Sequence, residues 1–84
     1  MNLIFSRCLL AIEAEYDPQA PARVLGLITR HNALPLWFST RVISPDSIRI
    51  EMELSESDGE VSERIARLIA DIPSVISVSR RLRK

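Results

Sequence analysis

The sequence predicts an α+β domain in which a four-stranded antiparallel sheet carries both of its helices on one face. Three observations lead there: four segments with strand chemistry, two with apolar residues at helical spacing, and the order strand, helix, strand, strand, helix, strand. Each strand–helix–strand half crosses over right-handed, and the two halves interleave. This is the ferredoxin-like, split βαβ arrangement.

The first strand is expected where Cys8, Leu10, Ile12, Ala14 and Tyr16 alternate with Glu13 and Glu15, the period of a half-buried ribbon. Asp17-Pro18 follows, a short acceptor side chain ahead of a residue whose fixed φ suits a first helical turn, so a helix is expected to begin there. Pro21, Val24, Leu25 and Ile28 recur at i, i+3, i+4 and i+7, with Leu27 widening the stripe. Arg30, His31 and Asn32 gather where the helix dipole favours cations, which puts the helix end near Asn32.

Pro35 cannot continue a helix, and Leu36 to Ile43 is rich in aromatic and β-branched residues. Phe38 and Val42 fall on one face of this second strand, Trp37, Arg41 and Ile43 on the other. Ser44-Pro45-Asp46-Ser47 is turn chemistry. It leads into Ile48, Ile50, Met52 and Leu54 alternating with Arg49, Glu51 and Glu53, so the second and third strands form a hairpin.

Ser57 and Glu60 have capping-box spacing, and behind them Val61, Ile65, Leu68, Ile69 and Ile72 share one helical face. Glu60 with Arg64 and Glu63 with Arg67 are favourably ordered i,i+4 pairs on the solvent side. Pro73-Ser74 stops this helix, and Val75, Ile76 and Val78 give a short last strand before a basic end of Arg80, Arg81, Arg83 and Lys84. One sheet face should therefore bury Ile12, Ile48, Ile50 and Met52 under the helices. The other carries Glu13, Glu15, Arg49, Glu51 and Glu53.

Eighty-four residues, 46% of them hydrophobic, allow one core and no second domain. A domain this small buries only about 60–65% of its extended-chain surface, so association with a copy or partner is expected to add stability. Eleven basic residues balance eleven acidic ones, which removes the field that drives nucleic-acid or anionic-membrane binding. The single cysteine, Cys8, has no internal disulfide partner, and no run approaches the roughly 18 apolar residues of a membrane span. The apolar opening Met1–Phe5 lacks a cationic leader. A cytoplasmic protein is expected.

Catalytic groups are scarce. His31 is the one histidine, at a helix end, and reads as a cap or a solvated cation. Cys8 lies on an apolar face, where a thiol behaves as a small hydrophobe. Glu13, Glu15, Glu51 and Glu53 form a carboxylate-rich surface without histidines or glycine loops, a solvated or partner-facing one rather than a metal site. RNA readers of this topology stack bases on outer-face aromatics of the central strands, where this chain has Glu and Arg, and acidic groups repel phosphate. Nor does Asp17-Pro18-Gln19-Ala20-Pro21 offer the Gly-rich, arginine-bearing turn of an acylphosphatase-like enzyme. No catalytic residue, metal or cofactor is expected. The basic end reads as a solubilising terminus or as a docking element for an acidic partner.

The segment Pro21-Ala22-Arg23-Val24-Leu25-Gly26-Leu27-Ile28-Thr29-Arg30-His31-Asn32 resembles the first helix of an ACT domain, most closely that of the regulatory small subunits of acetolactate synthase (acetohydroxyacid synthase). Leu68-Ile69-Ala70-Asp71-Ile72-Pro73-Ser74-Val75-Ile76-Ser77-Val78 resembles the second helix and last strand of the same subunits. The similarity spans roughly residues 8 to 80, leaving 1–7 as an extension and 81–84 as a basic tail. It implies a non-catalytic partner, itself without cofactor, that activates a catalytic large subunit holding thiamine diphosphate, flavin and magnesium in branched-chain amino-acid biosynthesis.

The resemblance further implies an amino-acid effector site at the turn after the first strand, with Asp17, Gln19, Ala20 and Asn32 at the matching positions. It also implies a homodimer, and Trp37, Phe38 and Arg41 on the second strand are the expected contact residues. Amino-acid-binding relatives place glycine in that turn, so that backbone amides approach the effector carboxylate. Here two prolines remove two donors and Asp17 adds negative charge. Asn32 matches the family's asparagine, but Ala33-Leu34-Pro35 follows it instead of a polar residue and Ile. A subunit that answers weakly or not at all to valine is expected, and a stand-alone ACT-type sensor binding an amino acid between two copies is the alternative.

Overall fold

The computed structural model describes residues 6–56 and 60–83, with the side chains of Ser6, Glu56 and Arg83 left aside. Six elements follow one another: β1 (Ser6–Glu15), α1 (Ala20–Arg30), β2 (Pro35–Ser44), β3 (Ser47–Glu56), α2 (Glu60–Ala70) and β4 (Val75–Arg83). The strands form one antiparallel sheet in the order β2-β3-β1-β4, so β1 and β3 are central and β2 and β4 are edges. The ferredoxin-like arrangement is thus the one adopted. No helix of the described residues is long and apolar enough to cross a membrane.

Period-2 alternation fixes which face of the sheet meets the helices. Cys8, Leu10, Ile12 and Ala14 of β1 pair directly with Leu54, Met52, Ile50 and Ile48 of β3, and all eight are buried. Ala20, Val24 and Ile28 of α1 and Ile65 and Ile69 of α2 close the core from above. The β2–β3 hairpin turns through Pro45-Asp46, where the Ser44 hydroxyl accepts from the Asp46 N–H at 3.2 Å and meets the Ser47 hydroxyl at 2.8 Å.

Several expectations are corrected. Helix α1 begins at Ala20, not at Pro18. Asp17 does not cap it: Oδ1 accepts the Gln19 N–H (3.0 Å) and the Asp17 carbonyl accepts the Ala20 N–H (3.0 Å), so Asp17 and Pro18 open a side-chain-closed turn that precedes the helix. Pro21 then occupies the first helical turn, where its missing N–H costs nothing. Leu25, expected within the buried stripe, faces solvent, whereas Leu27 packs against the core as expected, and Tyr16, just past the end of β1, is exposed.

On α2 Ile65 and Ile69 are buried as expected, and only the first turn departs from the expected stripe. Ser62 is buried and Val61 is exposed. The Ser62 hydroxyl accepts from Arg80 Nη1 at 3.0 Å, which is why a polar side chain is tolerated there. Glu63 and Arg67 pair at 2.7 Å as expected. The capping role of Ser57 lies outside the described residues.

Strand β4 is longer than the short strand expected, because Leu82 pairs with Cys8, Arg81 with Leu9 and Arg80 with Leu10. Arg80, Arg81 and Arg83 therefore belong to the sheet and not to a trailing basic terminus, just as Ser6 and Arg7 belong to β1. A bulge between Glu13 and Ala14 leaves Ile76 as the extra residue of β4, exposed at the edge.

Candidate binding surface

Two regions carry groups able to meet a partner: the turn between β1 and α1, and the edge strand β2 with the sheet face beside it. The turn is built from residues that leave little free backbone polarity. Tyr16 N–H bonds to the Asp46 carbonyl at 2.8 Å, and Asp17 accepts the N–H groups of both Gln19 and Ala20. Pro18 and Pro21 have none to give. Positions 18–21 thus offer a carboxylate no backbone donor, while the Asp17 side chain presents negative charge.

The expected effector residues do not assemble. Asp17 and Gln19 share the turn, and the Gln19 side chain accepts from Arg23 Nη2 at 3.3 Å. Ala20 is wholly buried, with its N–H already engaged. Asn32 lies at the far end of α1, about 16 Å away for an eleven-residue helix. Its role is local: with φ of 59° it takes the left-handed position after the helix. The N–H groups of Asn32 and Ala33 fold back to the carbonyls of Thr29 and Ile28, each at 3.1 Å, the paired bonds of a Schellman cap. Ala33 packs on the core beside Ile28, completing that motif. His31 is the helix C-cap.

Beside the turn lies a cleft of about 130 Å³ lined by Tyr16, Asp17, Pro18, Pro21, Thr40, Val42 and Ile48. It exists because β2 is an edge strand: Thr40 and Val42 have core-facing parity opposite Ile50 and Ile48, yet both stay exposed. Sequence parity placed Val42 with Phe38 correctly. The gap above Val42 depends on how far the helices extend over the sheet, which periodicity does not encode.

The expected contact residues separate onto two faces. Phe38 pairs with Met52 and packs against the core, so its ring is not offered to a second copy. Trp37 and Arg41 lie on the outer face, where Trp37 opposes Glu53 and Arg41 opposes Arg49. Arg41 Nη2 reaches Oε1 of Glu51 at 3.1 Å. The Trp37 indole donates to Oε1 of Glu53 at 3.0 Å, and Arg7 approaches the same oxygen at 3.8 Å.

Glu53 was expected on a solvated face but is only 4% exposed. A tryptophan directly across the ladder, with a basic side chain one row away, is the signal that foretells such a covered carboxylate. Leu34, Leu36, Trp37, Val42 and Ile43 expose large apolar surfaces along β2. Cys8 is buried, with Sγ 3.9 Å from the Leu9 carbonyl. Among the described residues no group of three His, Cys, Asp or Glu side chains is placed to hold a metal ion.

The sequence matches no family model and no curated protein. Solved structures do resemble the chain. The ACT domain of the GTP pyrophosphokinase of Chlorobium tepidum superposes with a TM-score of 0.80 at 9% identity, over 93% of this chain and 100% of that one. The chain shares the fold of that ACT domain. The C-terminal domain of the MgtC protein from Mycobacterium tuberculosis follows at 0.78 and 15% identity, covering 99% of this chain and 93% of that one. An uncharacterised protein of Thermotoga maritima gives 0.76 at 18% identity, with 96% and 100% covered. At such identities the likeness shows a shared fold and nothing finer.

Proposed function

We propose that this chain is a non-catalytic ACT-type regulatory module, and that its partner is the catalytic large subunit of acetolactate synthase. The observation that carries the coarser reading is the ACT fold spanning nearly the whole chain, matched end to end by an isolated ACT domain. The finer reading rests on the resemblance of residues 21–32 and 68–78 to the small regulatory subunits of that synthase. A cytoplasmic homodimer joined through β2 is its natural form, since the ten-residue edge exposes Leu36, Trp37, Val42 and Ile43.

On this reading the chain stabilises the large subunit without transmitting strong feedback. The β1–α1 turn withholds the backbone donors that an amino-acid carboxylate would need, and Asp17 repels it. The test is to mix the purified chain with its candidate large subunit and follow acetolactate formation with and without valine. Raised activity that is largely indifferent to valine supports the proposal. No co-purification and no change in rate refute the partner, while leaving the fold untouched.

A stand-alone amino-acid sensor is favoured by one observation, the cleft beside that same turn. It predicts thermal stabilisation by an amino acid with no partner present. A ligand at 100 times its dissociation constant adds about 2.7 kcal/mol.

A further inference from the structure

We infer that the groove between α1 and α2, on the side of the molecule away from the sheet, is a docking site for an amphipathic helix of a partner protein, aliphatic on one side and acidic beside it. The inference concerns the chain by itself and holds whether or not that partner is a synthase.

The floor of the groove is apolar. Leu27, Leu68 and Ile72 line a space of about 420 Å³ and stay half-buried, although Leu27 and Ile72 pack on the core beneath. Both walls are helices whose backbone groups bond internally, so an extended segment would find no ladder to join, whereas a helix brings its own hydrogen bonds and needs only side-chain contact. No residue of β2 lines the groove, so an occupant leaves that edge free.

Gly26 fits the same occupant. It stands in the middle of α1, where glycine is the least favourable residue after proline, yet its φ is not positive and a β-carbon there would meet no other heavy atom within 4 Å. Among the described residues nothing calls for glycine at this position. With Ala22 one turn earlier, it keeps the lip of α1 low enough for a second helix to approach closely.

Charge sets the sign of the occupant. Arg23 and Arg30 are the two charged side chains of α1 and both line the groove, and among the described residues neither is in an ion pair; Arg23 meets only the neutral Gln19 side chain, at 3.3 Å. By contrast Arg7, Arg41 and Arg67 each reach a glutamate. Asp71 is the one acid in the lining. Seven residues separate the two arginines, about 10.5 Å of helix, so carboxylates at i and i+7 of an incoming helix meet both while aliphatic side chains between them rest on Leu27 and Leu68.

The experiment titrates the full chain with a stapled helical peptide bearing leucines along one face and two glutamates seven positions apart beside it, and with the same peptide carrying lysines in place of the glutamates. Saturable shifts of the Gly26 amide and of the methyl groups of Leu27, Leu68 and Ile72 are expected with the acidic peptide, at a dissociation constant at least tenfold below that of the basic one. Arg23→Glu with Arg30→Glu should invert that preference. Gly26→Ala should raise the melting temperature of the free chain and weaken the acidic peptide at least threefold, a pairing that a purely intramolecular role for Gly26 would not give. Gly26→Leu closes the groove and abolishes the shifts while the remaining spectrum is unchanged. Equal binding of the two peptides, no binding of the acidic one, or shifts that survive Gly26→Leu overturn the inference. A groove closed by a second copy does the same: these resonances would then move with protein concentration and ignore the peptide.

Discussion

Trp37 and Glu53 face each other directly across the β2–β3 ladder, and the indole Nε1 holds the glutamate Oε1 at 3.0 Å on the side of the sheet away from the helices. That contact accounts for a carboxylate 4% exposed on an otherwise open face. Trp37→Phe keeps most of the apolar cover and removes the donor, leaving a covered acceptor with one bond fewer. A loss of about 1–2 kcal/mol is expected, read as a lower urea midpoint at unchanged slope. Glu53→Leu, which removes the acceptor, forms a cycle with Trp37→Phe, and a coupling above about 0.5 kcal/mol identifies the bond as the cause. Strict additivity would mean that Trp37 acts through area alone.

Asn32 separates a structural role from a ligand role. In the left-handed region glycine is at ease, asparagine is tolerated and a β-carbon without a polar group is strained. Asn32→Gly should leave stability within a few tenths of a kcal/mol, while Asn32→Ala should cost about 1 kcal/mol by thermal or urea unfolding. If Asn32→Gly removes a response to an added amino acid at unchanged stability, the side chain contacts ligand and the capping account is incomplete.

The fold was largely legible because both periods are clean. Ile48, Ile50, Met52 and Leu54 alternate with charged residues, and Val24, Ile28, Ile65 and Ile69 recur at helical spacing, so faces and order follow from the chain. The site was less so. Pro18 and Pro21 suit a first helical turn equally well, and only the hydrogen bonds of Asp17 decide that the helix waits until Ala20. Val61 and Ser62 differ by 100° around the helix, and pattern alone favours the valine. The Arg80 hydrogen bond that makes Ser62 acceptable comes from a strand eighteen residues away. Edge status is likewise a property of the assembled sheet, which is why Val42 has core parity and solvent exposure together.

Arg80 shows that the basic end is part of the architecture. Both arginines are exposed, but the Arg80 guanidinium donates to the buried Ser62 hydroxyl, tying β4 to α2, whereas Arg81 pairs in register with Leu9 on the opposite face of the sheet. Arg80→Ala should cost about 1–2 kcal/mol and Arg81→Ala less than about 0.5 kcal/mol in urea unfolding. Equal, negligible effects would return both arginines to the role of solubilising charge.

The two sheet edges differ in a way that predicts how copies associate. Strand β2 shows solvent a ten-residue ladder edge flanked by Leu36, Trp37, Val42 and Ile43, and such an edge is a template for another strand. Strand β4 bears Arg80, Arg81 and Arg83 in sequence, so antiparallel self-pairing there would oppose like charges, whereas β2 bears the single Arg41; register irregularities occur on both strands. Association through β2 is therefore the expected outcome. Ile43→Lys introduces a charge that must face its symmetry mate or be buried, and it should raise the dimer dissociation constant at least tenfold in sedimentation equilibrium. Because Ile43 is exposed in the single chain, the monomer's own stability should change by no more than about 0.5 kcal/mol. Ser79→Lys on β4 is the matched control and should leave association unchanged. The reverse pattern, a dimer indifferent to Ile43→Lys and broken by Ser79→Lys, would move the interface to the basic edge.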